Sequence, residues 1–468
     1  MLFRSILLRI FQLVAPPRTR NGLYILSELS HVCTLWRLAL ISHPRIWATI
    51  FMTRGDRRSF VEMCLERSQP VTLEVTVDVS EQGRVHLRCT CDKDNRWRLL
   101  PNERNPCEWH FQFECLTQDG HSKRVEKLNI DFDGWIPPEH RKQLALGGCR
   151  FFTLSFPKLT SLGWEEEDTE HGNYIFSTPP FPPTLRSLSF KGTWDGSVTQ
   201  VNNLISFTFG STDTVSIETI RLFILNNRSL ESLSMVEAYF EGTSKGPPVN
   251  LFNLKSFRVD SSPKIVSTIV RIPALQRLSS LQISVEEGDD DGFTLHATGD
   301  GIKLSTKSNL RDVAEVWNDL TGYARPTIRH VRLHDDVEGG HFGGAGSTAL
   351  SLLLDAHTLE IGNGYFPFWY DEFLDDLKEL GPQLKTIRFA IWDELEPFES
   401  KADEYQNWGG GLLDDIEELV KYRCEQGRPF SAVERMVISK SKRSNRQQDY
   451  VWRCFYGSRK LSQYVQSV

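Results

Sequence analysis

Six residues between positions 89 and 121 carry ligand chemistry: Cys89, Cys91, Cys107, His110, Cys115 and His121. Thiolate and imidazole are the usual donors to zinc, which takes four of them in a tetrahedron. A structural zinc site arranges them as two closely spaced pairs, and these six residues do not follow that spacing, so no metal is expected. The glycine-rich run GGHFGGAGST, Gly339 to Thr348, lacks the lysine of a phosphate-binding loop. It also follows Asp335, Asp336 and Glu338, whose charge repels phosphate. The acidic GDDDG lacks the spaced oxygens and closing glutamate of a calcium loop. No nucleophile sits in a pattern with its base. The sequence therefore reads as non-catalytic, with no cofactor.

What remains is binding chemistry. The chain has 468 residues and a formal net charge of −7, with no global basic signal for nucleic acid. No window approaches the roughly 18 apolar residues of a membrane span. Nine cysteines, odd in number and thinly spread over a long chain, suit a reducing compartment better than a disulfide scaffold. The expected location is the cytoplasm, the nucleus or both. Asn227-Arg228-Ser229 matches a glycosylation acceptor, which carries little weight without a secretory signal. SKSKRSNR, Ser439 to Arg446, reads as a solvated basic loop.

The elements that position binding residues begin at the N-terminus. Ile6, Leu7, Ile10, Phe11 and Val14 recur at helical spacing, and Pro16 and Pro17 stop that helix. Ser30 is placed as the N-cap of a second helix carrying Val32, Leu35, Trp36, Ala39 and Leu40. Pro44 ends it, and Trp47 and Ile50 open another apolar turn. Three short helices so loaded with large apolar groups cannot bury them all internally. The excess face calls for a partner, either the rest of the chain or another protein.

The order SILLRIFQLV, HVCTLWR, HPRIW resembles an F-box. In that family a valine-cysteine-x-x-tryptophan-arginine helix is followed by proline and a second tryptophan. The chain departs from the pattern in two places. It lacks the family's leucine-proline start, and PPRTRNGLYIL stands between the first and second helices. The resemblance implies docking on the Skp-type linker of a cullin–RING ubiquitin ligase. It assigns that contact to Ile6, Leu7, Ile10, Phe11, Leu29, Val32, Trp36, Pro44 and Trp47, with both tryptophans ordering the surface. The whole chain also resembles F-box proteins of mushroom-forming fungi that carry a divergent leucine-rich-repeat region.

Repeats are visible in the residues themselves. LTSLGW, LRSLSF, LISFTF, LESLSM, LKSFRV and LSSLQI begin at Leu159, Leu185, Leu204, Leu230, Leu254 and Leu278, with IRHVRL at Ile328, LKTIRF at Leu384 and VERMVI at Val433. Their offsets fall in or near the roughly 20–29 residues of leucine-rich repeats, or about twice that. IETIRLFILNN, DEFLDDLKEL and LLDDIEELVKYRCEQ read as helices before the next strand. The expected fold is α/β: residues 1–55 as a three-helix F-box-like domain, 56–150 as a linker helix and irregular first strands, 151–445 as a curved repeat solenoid, and 446–468 as a tail or cap. Between Ser284 and Thr321 the signature lapses, and ATGDG marks a loop or insertion.

In LxxLxL, alternation along the strand turns Leu188 with Phe190, Phe207 with Phe209, Leu233 with Met235 and Phe257 with Val259 into the core. Small residues such as Ser187 and Ser189 face out early. Arg258, His330, Arg332, His334 and Arg388 face out later, a basic face suited to an acidic or phosphorylated target. The expected function is a non-enzymatic substrate-recruiting subunit, with the linker, a cullin and an unknown protein target as partners. The alternative is a stand-alone repeat scaffold whose N-terminal helices only cap it.

Overall fold

The computed structural model describes residues 2–14, 20–53, 58–78, 115–116, 118–132, 156–166, 181–192, 201–260, 263–285, 293–308, 313–335, 356–361, 378, 383–392, 418–428, 430–439 and 449–454. The fold is mixed α/β and dominated by sheet, and the chain divides into two compact units, Met1–Val249 and Asn250–Val468.

The first unit opens with helices α1 (Leu2–Val14), α2 (Arg20–Leu29) and α3 (Thr34–Ile41), then a 3-10 turn at Pro44–Ile46. Strand β1 (Thr49–Thr53) follows, with helix α4 (Arg58–Arg67) after it. Strands β2 (Leu73–Asp78), β3 (Val125–Phe132), β4 (Ser161–Glu166), β5 (Ser187–Lys191), β6 (Ser206–Ser216) and β7 (Ser232–Glu241) complete the sheet. They lie in chain order, each parallel to the last. The register stacks Ile50, Val75, Leu128, Leu162, Leu188, Phe207 and Leu233 in one lateral row. Met52, Val77, Ile130, Trp164, Phe190, Phe209 and Met235 form the next row. All are buried, which is why a period of two recurs in every strand. Helix α5 (Ile217–Asn226) covers this core through Ile217, Ile220, Phe223 and Ile224, and the Phe223 ring sits 4.4 Å from that of Phe207.

One backbone device repeats at the strand entrances. The N–H groups of Arg186 and Ser187 both donate to the Thr160 carbonyl, those of Ile205 and Ser206 to Arg186, and those of Glu231 and Ser232 to Ile205. The residue before each pair, Leu185, Leu204 or Leu230, is buried. The six-residue signature is thus one buried entrance residue followed by a strand with two inward side chains.

In the second unit the strands are β8 (Ser256–Val259), β9 (Leu278–Val285), β10 (Phe293–Gly299), β11 (Ile302–Ser308), β12 (His330–Asp335), β13 (Thr358–Ile361), β14 (Thr386–Trp392), β15 (Ala432–Ser439) and β16 (Asp449–Cys454). Helices α6 (Pro263–Ile269) and α7 (Val313–Thr321) lie between strands in the chain, and residues 418–425 are helical. The sheet order is β8-β11-β10-β9-β12-β13-β14-β15-β16. The lapse in the signature is a hairpin, β10–β11, inserted edge-on into the sheet. It pairs antiparallel to β9, while β11 lies parallel to β8. From β9 through β15 the neighbours β12 to β15 are again parallel, and β16 closes the edge antiparallel.

A regular curved solenoid is not evident among the described residues, because this hairpin breaks the one-strand-per-repeat order. Nor are the three N-terminal helices the expected ones. The segment read as an insertion forms α2, and the turn after Pro44 leads into β1 rather than a third helix. Ser30 is not an N-cap: its N–H donates to Leu26 and its hydroxyl to Ser27, ending α2, while α3 starts after Cys33. Of DEFLDDLKEL only Lys378 lies within the described residues, whereas IETIRLFILNN is helical as read.

Candidate functional site

Two surfaces hold the residues singled out by sequence. The first is helical. Leu7 and Phe11 of α1, Leu23 and Leu26 of α2, and Ala39 and Leu40 of α3 are buried. Phe11 and Trp36 meet edge to face at 5.2 Å, joining α1 to α3. Trp47 is fully buried; its indole N–H donates to the Leu40 carbonyl at 3.0 Å, and the Arg67 guanidinium lies 4.7 Å over its ring.

The opposite faces of these helices are bare and apolar. Ile6, Ile10, Leu13 and Val14 on α1 are 46–70 % exposed, at helical spacing. Val32, Leu35, Leu38 and Ile41, on or just before α3, are 43–61 % exposed. Of the nine expected contact residues, Ile6, Ile10 and Val32 are exposed, Leu29, Trp36 and Pro44 half-buried, and Leu7, Phe11 and Trp47 buried. Sequence reading placed Leu35 on a helical face but left it, with Leu13, Leu38 and Ile41, out of the contact set. Helical spacing with α3 begun at Thr34 turns Leu35, Leu38 and Ile41 outward, and Leu13 continues the exposed side of α1. Large apolar groups clustered on exposed faces mark association surfaces rather than catalysis.

The second surface is the outward face of the C-terminal sheet. Register aligns Arg258, Ser305, His296, Gln282, Arg332, Glu360, Arg388 and Glu434 across eight strands. The expected basic face is therefore interrupted by carboxylates. Glu360 is 1 % exposed; Arg332 Nε lies 2.7 Å from its Oε1, Arg332 Nη2 donates to its Oε2 at 3.3 Å, and His330 Nε2 is 3.7 Å from Oε2. Arg258 donates to Asp260 at 2.8 Å. Burial pushes the His330 imidazole below its ordinary range, against the pull of Glu360 and with the push of Arg332 and Arg388. His334 stands on β12, its side chain outside the described residues.

The missed residue is Glu360, and a signal for it existed. Ala356-His-Thr-Leu-Glu-Ile repeats the six-residue pattern midway between the members at Ile328 and Leu384. An alanine at the entrance position, fully buried like its larger counterparts, concealed it.

The zinc candidates Cys89, Cys91, Cys107 and His110 lie outside the described residues, as do the Gly339–Thr348 run and GDDDG. Cys115 and His121 are buried, and Arg124 Nη1 lies 3.2 Å from His121 Nδ1, a poor setting for a cation. Among the described residues no group of three or more His, Cys, Asp or Glu could hold a metal, and no helix is long and apolar enough to cross a membrane. A scan against protein-family models finds no match, and a search of the curated proteins finds no similar one.

Proposed function

We propose that the protein is a non-catalytic adaptor of an SCF-type ubiquitin ligase, with the N-terminal helices docking on a Skp-type linker and the repeat strands presenting a target. The observation that carries this reading is the pair of bare apolar faces on α1 and α3, backed by buried Phe11 and Trp47. Rigid apolar helix faces suit burial against a partner, and the F-box resemblance supplies the partner's class. The repeated strand entrances support a divergent leucine-rich repeat as the receptor. The adaptor does no bond chemistry; it raises the concentration of a target beside the ubiquitin-charged enzyme, joined there through the cullin. Such a complex works in the cytosol or nucleus, and the protein is expected there. The test is co-purification of the full chain with a fungal Skp-type linker. Ile10→Glu with Leu38→Glu should abolish capture without lowering the melting temperature.

A second reading, a stand-alone scaffold, draws on a different observation. The Glu74 N–H donates to Ala48, and Trp47 packs under Arg67, so the helical region runs directly into the first strands as a cap does. Failure of the wild-type chain to bind any linker, with the fold intact, would favour it.

A further inference from the structure

Arg332 is engaged by Glu360, so the obvious arginine of the C-terminal sheet is not available to a ligand. Three other side chains are. Arg329, His357 and Lys385 occupy the same strand-entrance position on β12, β13 and β14. Arg329 and Lys385 are exposed and His357 half-buried. None of their side chains makes a hydrogen bond or ion pair. Their backbone is fixed by the repeated device: Arg329 N–H donates to Ser279 at 2.9 Å, His357 to Arg329 at 2.8 Å and Lys385 to His357 at 2.9 Å. One position further on, Thr358 and Thr386 are paired in register at the first strand position and half-buried.

We infer that Arg329, His357 and Lys385 form an anion-binding strip that takes an acidic segment of a protein. Adjacent strands lie about 4.8 Å apart, so the strip spans about 10 Å, which three or four residues of extended chain cover. A run of carboxylates or phosphoserines then meets the cations Arg329 and Lys385, with the His357 ring between them. A nucleic acid fits less well. Single strands are held by aromatic stacking, and the outward positions of β8 to β13 carry Ser, Thr, Gln, His, Lys, Arg and Glu.

The inference rests on the reading of the sheet as a receptor surface, and not on linker docking. The full chain is titrated by fluorescence anisotropy with a labelled six-glutamate peptide, a serine-glycine peptide bearing two phosphoserines, and a six-nucleotide single-stranded RNA. Binding of either peptide, weakened about tenfold in Arg329→Gln with Lys385→Gln, supports the strip, and the stronger peptide names the source of the anion. Arg186→Gln with Lys158→Gln, exposed cations of the first unit, is the control and should bind as wild type. Unchanged peptide binding in the Arg329/Lys385 variant, equal loss in the control, or a preference for the RNA would each overturn the inference. The melting temperature of every variant is recorded. Linker capture measured on the same samples separates failure of the adaptor reading from failure of the strip.

Discussion

Asn227 shows how one polar side chain can hold a strand entrance together. It is fully buried, donates to the carbonyls of Val201 at 2.8 Å and Phe223 at 3.0 Å, and accepts the Leu204 N–H at 3.0 Å. The same interactions shut it off from a glycosylating enzyme, so the sequon there is inert in the folded chain. Asn227→Ala leaves those backbone groups buried and unpaired, and we expect a loss of about 3 kcal/mol in urea denaturation. A loss below about 1 kcal/mol would mean that water replaces the side chain. His330 makes a pH prediction. Its pKa is held below the ordinary 6.5 chiefly by burial, so the folded state binds fewer protons than the unfolded. The resulting stability is present above about pH 6.5 and fades as pH falls below it. His330→Asn should therefore lose less melting temperature than wild type between about pH 7.5 and 5.5; parallel curves would contradict the assignment.

At the scale of elements, the two tryptophans do different work. Trp47 joins the 3-10 turn to α3 through the Leu40 carbonyl and to α4 through Arg67, and it has no exposed surface. Trp36 is half-buried and touches Phe11 by its edge. Trp47→Ala should cost about 3–5 kcal/mol and unfold the helical region, seen as lost protection from proteolysis after α1–α3. Trp36→Ala should leave that region folded while weakening linker capture. Equal behaviour of the two variants would remove the distinction. A similar division runs through α5, where Phe223 and Ile224 pack on the sheet while Leu222 remains exposed.

At the scale of the molecule, the inserted hairpin decides the course of the second unit. β10 and β11 are joined through Gly299, Asp300 and Gly301, with Gly301 at φ +68°, a left-handed conformation that glycine adopts without strain. A Cβ on Gly299 would lie 2.0 Å from the Arg277 carbonyl oxygen, a backbone atom that cannot swing away. Gly299→Ala should cost about 3 kcal/mol and loosen the β9–β10 pairing, read as faster amide exchange at Leu281 and Ile283. Exchange unchanged at both would show that the hairpin accommodates the methyl group.

The six-residue signature determined by itself which side chains enter the core. Leu188, Phe190, Phe207, Phe209, Leu233, Met235, Phe257 and Val259 are all buried as alternation requires, because period two is a local property of an extended chain. Helix α5 was legible for the same local reason, from apolar spacing and the asparagines that end it. The apolar helical faces were legible in kind, but their membership was not: Trp47 became core, and Leu38 and Ile41 became surface, once the chain folded α2 from a segment read as an insertion. Strand order and charge pairing belong to tertiary structure alone. The place of the β10–β11 hairpin in the sheet follows from pairing between residues distant in sequence. So does the meeting of Arg332 with Glu360, 28 residues away and one strand over. Nothing in a linear pattern says that two charges will be neighbours until the register of their strands is set.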